Sequence, residues 1–218
     1  MLYDIGKNAM ELQFEDRALI LCFNELTSLV VADLHLGYES ELLQNKGVIF
    51  PKQHPIMLKR LTTLIEKYDI DRLYIIGDVK HTLGADCKFN WKSVPEFLSA
   101  LQNTVELFVI PGNHDGDLES LMPRSMNLED VRGVTIKNTN TSVGLFHGHT
   151  WPSSGLLSAK IFVIGHNHPT IHRYKMVSSP KTGRPNRKRF GGIIPIVLKS
   201  KLDKNCIREN IGGSIKEN

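Results

Sequence analysis

Apolar residues fall into short runs separated by polar, glycine-containing stretches, and their spacing changes character halfway along the chain. Arg17–Phe23 and Ser28–Ala32 read as two strands joined by a turn at Asn24-Glu25. From Pro51 to Tyr68 the apolar residues Met57, Leu61, Leu64, Ile65 and Tyr68 recur at helical spacing, with Pro51 suited to the first turn. Arg72–Ile76 is a short buried strand, Trp91–Gln102 a second helix with Pro95 near its start, and Val105–Ile110 another strand. Strand, helix, strand, helix, strand is the order of parallel β-α-β units. Beyond that point Val134–Lys137, Ser142–Phe146, Lys160–Ile164 and Ile193–Leu198 are short strands with little helix between them. They predict a second, mixed or antiparallel sheet packed on the first. The expected fold is therefore α/β: a two-sheet β-sandwich core flanked by helices, with strand ends gathered along one rim.

Length and composition narrow this picture. At 218 residues, 41% hydrophobic and 23% charged, the chain suits one soluble globular domain, residues 1–218, with a substantial core. No apolar run reaches membrane-spanning length. Met1 to Asn8 lacks a basic segment followed by an apolar one, so no secretory signal is read and the cytoplasm is the expected location. Cys22, Cys87 and Cys206 are odd in number and far apart, which argues against a disulfide framework and suits a reducing compartment. The formal charge of +4 is unevenly placed. Between Ile171 and Phe190 lie seven Lys or Arg and no acid, leaving 20 basic against 23 acidic residues elsewhere. This basic segment, about 171–190, follows directly on a cluster of histidines. Its Ser-, Pro- and Gly-rich part, Ser178–Arg189, reads as a loop or a β-turn excursion.

Five clusters of metal-seeking residues lie in order along the chain, mostly where an apolar run ends and a glycine-containing loop begins. They are Asp33-Leu34-His35, Gly77-Asp78, Gly112-Asn113-His114-Asp115, His147-Gly148-His149 and Gly165-His166-Asn167-His168. A strand end fixes the backbone while the loop leaves the side chain facing a cleft. Two divalent ions close together need a shared ligand, and the two oxygens of Asp78 suit that bridging role. Gly77 removes bulk where the cluster must approach the backbone. Asp33 and His35, alternating on an extended segment, point to one side and can clasp one ion. His166 and His168 repeat the spacing, and each can serve a different ion. Asn113 supplies an amide oxygen and His147 another imidazole, with His149 the competing choice. Four imidazoles among seven ligands suit Mn²⁺, Fe²⁺, Zn²⁺ or Ni²⁺ better than Ca²⁺ and argue against a Mg²⁺-only site, and a pair of Mn²⁺ ions is the first expectation.

These motifs resemble those of the calcineurin-like metallophosphoesterase superfamily, D-x-H, G-D, G-N-H-[DE], H and G-H-x-H in that order. DLHLGYE (Asp33–Glu39), GDVKH (Gly77–His81), HGH and GHNHP are similar to the small prokaryotic SbcD-related members. The resemblance implies one ion held by Asp33, His35, Asp78 and His168, and a second by Asp78, Asn113, His147 and His166. It implies phosphodiester hydrolysis by attack of metal-bound water, with His114 stabilising the transition state or protonating the leaving oxygen and Asp115 orienting its ring. Where many relatives carry an acid a few residues beyond the G-D pair, this chain has Lys80-His81, expected to contact substrate or groups behind the ligands. With the basic segment, the resemblance points to nucleic acid as substrate and to a nuclease in DNA repair or processing. His81, His149, Arg187, Lys188 and Arg189 are then the substrate-binding candidates. The alternatives are a hydrolase of cyclic nucleotides or another small phosphate ester, and a catalytically silent scaffold of the same fold. The expected partner is the phosphodiester substrate, with no membrane association and protein partners left open.

Overall fold

In a computed structural model, the described residues are 10–23, 26–84, 88–137, 141–178 and 185–201. Asn24-Glu25, Cys87 and Cys206 lie outside them, as do the side chains of residues 173–193. Two compact units are described, Met1–Asn167 and His168–Asn218.

The first unit begins with three antiparallel strands, β1 (Met10–Glu15), β2 (Ala18–Phe23) and β3 (Leu26–Val31). Next come helices α1 (Tyr38–Lys46) and α2 (His54–Tyr68), strand β4 (Arg72–Ile76), helix α3 (Lys88–Gln102) and strand β5 (Glu106–Ile110). The short β6 (Asn127–Leu128) completes a six-stranded sheet in sequential order, parallel from β3 to β6. The β3-α2-β4-α3-β5 alternation is the parallel arrangement that the sequence pattern implies.

Alternation along the strands explains why this sheet reads as continuous apolar runs. Ala18, Ile20, Leu29, Val31, Leu73, Ile75, Leu107 and Val109 face α2 and α3. Their neighbours Leu19, Leu21, Val30, Tyr74, Ile76 and Ile110 face the other way. The helices answer with one stripe each: Leu61, Leu64 and Ile65 from α2, and Val94, Phe97, Leu98 and Leu101 from α3. The opposite face packs on a second sheet, β7 (Val134–Lys137), β8 (Ser142–Phe146) and β9 (Ile161–Ile164), through Val143 and Leu145. That sheet is mixed, β7 antiparallel and β9 parallel to β8. The two-sheet sandwich flanked by helices is thus present, with the carboxyl ends of β3, β4, β5, β8 and β9 leading into the five polar clusters.

Several elements differ from the sequence reading. Helix α3 starts one turn earlier, which puts Pro95 in its interior. Helix α1 was not foreseen because it buries only Glu39 and carries no apolar stripe; Gly37 and Gly47, both left-handed, bound it. In the second unit, β10 (Thr170–Ser178) pairs antiparallel with β11 (Pro185–Pro195), so most of segment 171–190 is hairpin strand where a loop was one expectation. The last expected strand, Ile193–Leu198, ends at Pro195 and pairs inside that hairpin, not in the second sheet. Among the described residues no helix is long and apolar enough to cross a membrane.

Candidate metal centre

Beyond its last paired residues, Val31 and Ile75, the β3–β4 ladder continues into the polar clusters. Asp33 N–H donates to the Gly77 carbonyl (3.0 Å), His35 N–H to that of Asp78 (2.8 Å) and Leu36 N–H to that of Val79 (2.9 Å). The segment is not extended, as its i, i+2 spacing had implied. Asp33 (φ 55°) and His35 (φ 45°) are both left-handed, as are Asp78 (φ 53°) and His166 (φ 66°). A left-handed non-glycine residue costs roughly 1–2 kcal/mol, and such strain collects where side chains must be aimed.

Asp78 lies at the centre and is 2% exposed. Its Oδ1 accepts the His114 backbone N–H (2.9 Å). Its Oδ2 stands 3.4 Å from His147 Nε2 and 3.6 Å from His35 Nε2. Burial alone would raise this carboxyl, but the His147 ring, the His114 N–H and the neighbouring imidazoles outweigh it and hold the group well below the usual carboxylate range. Backbone room is supplied on two sides: a Cβ at Gly77 would overlap the His147 ring, and one at Gly112 would overlap the Asp78 carboxylate.

His147 is fully buried, and its Nδ1–H donates to the Ile76 carbonyl (3.0 Å). That bond leaves the Nε2 lone pair facing Asn113 Oδ1 (3.2 Å) and Asp78 Oδ2. Three acceptors converging in this way need a proton or a cation between them. Burial lowers the imidazole, but Asp78, the Ile76 carbonyl and Asp33 together carry it above the ordinary histidine value. Asp78, His147 and His166 offer ligand atoms within 4.8 Å of one another. So do Asp33, His35 and Asp78 on the other side. Asp33 is fixed by the His166 backbone N–H, at 3.1 and 3.2 Å from its two oxygens. Two nests of mixed nitrogen and oxygen donors thus share one carboxylate, and both fit a divalent transition ion.

The remaining candidates occupy distinct places. His149 has its ring 5.2 Å from that of His147, and its buried Nδ1 has no hydrogen-bond partner. Burial and the adjacent His147 and His166 push its imidazole down. His81 places Nδ1 3.4 Å from His35 Nδ1 and Nε2 3.0 Å from Glu41 Oε2. A carboxylate only accepts, so His81 donates from Nε2 and, as a neutral ring, receives the His35 Nδ1–H. That tautomer turns the lone pair of His35 Nε2 toward Asp78 Oδ2, 3.6 Å away. Burial, the largest influence on His81, pushes its imidazole down, consistent with a neutral ring. His114 donates from Nδ1 to the His81 carbonyl and stacks on the His81 ring (centroids 5.4 Å apart), so its Nε2 is unengaged by that bond.

Asp115 does not orient the His114 ring, the role that the family pattern implied. Its carboxylate accepts the N–H of Gly112 (2.8 Å) and Lys80 (3.2 Å), pinning one loop to the other, and burial pushes its carboxyl up. Lys80, expected to contact substrate or groups behind the ligands, is fully buried and donates to the carbonyls of Thr82, Leu83 and His114 at 2.6–2.7 Å, which places it behind the site. His168 is the first residue of the second unit and is left-handed (φ 41°). Arg187, Lys188 and Arg189 lie on β11 opposite Met176, Lys175 and Tyr174, with side chains outside those described. The sequence reading missed Glu41. Its only signal is the i, i+3 spacing from Tyr38 on a helix that has no apolar face.

Among solved structures the chain is similar to Pseudomonas putida nuclease MPE, at 21% identity over 74% of this chain and 75% of that one, with a TM-score of 0.46. It is also similar to AQ665 of Aquifex aeolicus, a protein of unknown function, at 21% identity over 55% of this chain and 59% of that one, TM-score 0.39. A third likeness is to YfcE, a phosphoesterase from E. coli, at 18% identity over 58% of this chain and 62% of that one, TM-score 0.36. No curated protein sequence matches significantly. The family model of the calcineurin-like phosphoesterases matches residues 26–193, well over half of the chain, and the protein belongs to that family of metal-dependent phosphoesterases.

Proposed function

We propose that this phosphoesterase hydrolyses phosphodiester bonds of nucleic acid, with Asp33, His35, Asp78 and His168 holding one divalent ion and Asp78, Asn113, His147 and His166 the other. The observation that carries the two-ion reading is a single carboxylate oxygen, Asp78 Oδ2, standing against both His35 and His147. Such a pair, when bound, supplies a nucleophile at neutral pH and neutralises phosphate charge. Manganese is the first choice, and the mixture of imidazole with carboxylate and amide oxygen also accommodates iron, zinc or nickel. His114 is the proton carrier: with Nδ1 committed to the His81 carbonyl, Nε2 can donate to the leaving oxygen. Asp115 holds the loop that aims it. His81 and His149 flank the reacting phosphate.

What supports nucleic acid is charge. Seven Lys or Arg without an acid between Ile171 and Phe190 follow the last ligand cluster, and a polyanion neutralises such a stretch. Arg187, Lys188 and Arg189 are its densest part. A nuclease of this kind serves DNA repair or processing in the cytoplasm.

The test is a substrate panel of single-stranded and duplex DNA, RNA, cyclic nucleotides and phosphate monoesters, run with Mn²⁺ and with chelator. Chelator-sensitive cleavage of a nucleic acid is expected. Asp78→Ala should abolish it, and His114→Ala should lower kcat on the order of 100-fold or more with metal retained. Inert protein at full metal occupancy would leave the scaffold reading; turnover confined to small esters would remove the nuclease.

A further inference from the structure

Helix α1 is an odd element. It buries only Glu39, yet it is fastened at its first turn to the metal centre. Tyr38 and Glu41, three residues apart and hence on one face, both meet His81. Glu41 Oε2 lies 3.0 Å from His81 Nε2, and the Tyr38 ring stands edge-on to the imidazole with centroids 4.7 Å apart. His81 in turn lies against His35 (5.2 Å) and His114 (5.4 Å). A ladder of rings therefore runs from the candidate ligand and the proton carrier outward, and Tyr38 is its last rung. Tyr38 is 50% exposed, and its hydroxyl makes no hydrogen bond among the described residues. Half-exposed aromatic surface costs stability that burial would have recovered.

From this placement we infer that Tyr38 is a base-stacking residue, receiving the nucleobase of the nucleotide beside the scissile phosphate. The inference rests on the nuclease reading and deepens it. A nucleotide separates its base from its phosphate by one sugar, and the His81 ring separates Tyr38 from the centre in the same way. An aromatic face stacks any base, so the residue confers affinity for base-bearing strands without sequence preference. Its hydroxyl is dispensable for that purpose. Gly37, left-handed at φ 93° and with no room for a Cβ against Phe89, sets the angle at which the chain delivers Tyr38 to this rim.

The experiment compares Mn²⁺-loaded wild type, Tyr38→Ala and Tyr38→Phe on a short single-stranded oligodeoxynucleotide and on the same strand built from abasic residues. Bis-p-nitrophenyl phosphate monitors the chemistry, and fluorescence anisotropy of a phosphorothioate strand reads binding apart from turnover. Tyr38→Ala is expected to raise KM on the base-bearing strand, and to weaken its binding, on the order of 10-fold, with kcat within about twofold. On the abasic strand wild type and Tyr38→Ala should be alike, and Tyr38→Phe should match wild type throughout. Equal impairment of Tyr38→Ala on both strands, or a fall in kcat at unchanged KM, would overturn the stack and mark Tyr38 as support for His81. An unimpaired Tyr38→Ala would remove the stack while leaving the nuclease intact. Wild type that turns over the aryl diester but neither strand would sink the nuclease reading and this inference together.

Discussion

Replacing Gly77 by alanine attacks the metal centre through the backbone without altering any candidate ligand. Gly77 has φ 88°, and its added Cβ would fall on Nδ1, Cγ and Cβ of His147. This ring is not the yielding end of a flexible side chain. It is fully buried and tied by Nδ1–H to the Ile76 carbonyl at 3.0 Å. The left-handed backbone costs alanine about 1–2 kcal/mol, and the broken imidazole–carbonyl bond about 1 kcal/mol more. Together these make about 2–3 kcal/mol, or roughly 4–12 °C in Tm for a chain of this size. Gly47→Ala is the control: φ is 64° but nothing lies within 4 Å, so only the backbone cost applies. The two variants should therefore differ modestly in thermal scans and widely in chemistry. Misplacing a group of a reacting array by about 1 Å costs on the order of 100-fold, so kcat/KM of Gly77→Ala on bis-p-nitrophenyl phosphate should fall by about that factor, with Mn²⁺ affinity falling in calorimetry. Gly47→Ala should keep both. A Gly77→Ala protein that binds metal normally and turns over within twofold of Gly47→Ala would refute the argument, because His147 would then have no place in the working site.

The Asp78–His147 pair sets a pH window for the metal-free protein. Asp78 is depressed, so its contribution is full above the unfolded carboxylate value of about 4 and is lost as pH falls below it. His147 is raised, so its contribution is full below the unfolded imidazole value of about 6.5 and is lost as pH rises through the folded value. Urea midpoints in chelator should accordingly decline at both ends, and His147→Gln should flatten the alkaline limb. Along the Glu41–His81–His35 line, Glu41→Ala and His81→Phe should each weaken metal binding by about 10-fold, as groups behind metal ligands do. The double variant should show little further loss, and an additive loss in calorimetry would break the chain of hydrogen bonds inferred for the three groups. If Arg187, Lys188 and Arg189 neutralise phosphates, their joint replacement by Gln should flatten the slope of log K against log salt for a single strand by about 2; an unchanged slope removes the hairpin from the binding surface.

Strands β3, β4 and β8, which bear much of the site, were legible because they are buried on both faces. Runs such as RLYII (Arg72–Ile76) leave no polar alternation to mislead, and the polar cluster at each carboxyl end stands out against them. Helix α1 was invisible for the converse reason: YESELLQNK has no face to bury, and it persists because Glu39 accepts the Gln53 N–H (2.9 Å) and Glu41 meets His81. Hydrophobic periodicity reports what an element packs against, so an element held by polar contacts at a site falls outside its reach.

The same limit explains the local errors. An i, i+2 pair such as Asp33 and His35 points to one side only if the backbone is extended, and here it is left-handed at both residues. That conformation is disfavoured for the isolated sequence. It persists because Gly77, Asp78 and Val79, more than 40 positions away, accept the N–H groups of Asp33, His35 and Leu36. Asp115 likewise follows His114 in sequence, yet it serves the backbone of Gly112 and Lys80, while a carbonyl from His81 takes the ring. Residue types at strand ends announce which chemistry is assembled. Which atom orients which ring is decided by the return of segment 77–81 beside both loops. Here that return makes a backbone carbonyl do for His114 what a carboxylate beside it in sequence was expected to do, so substitutions at Asp115 should disturb the loop before they disturb the proton on His114.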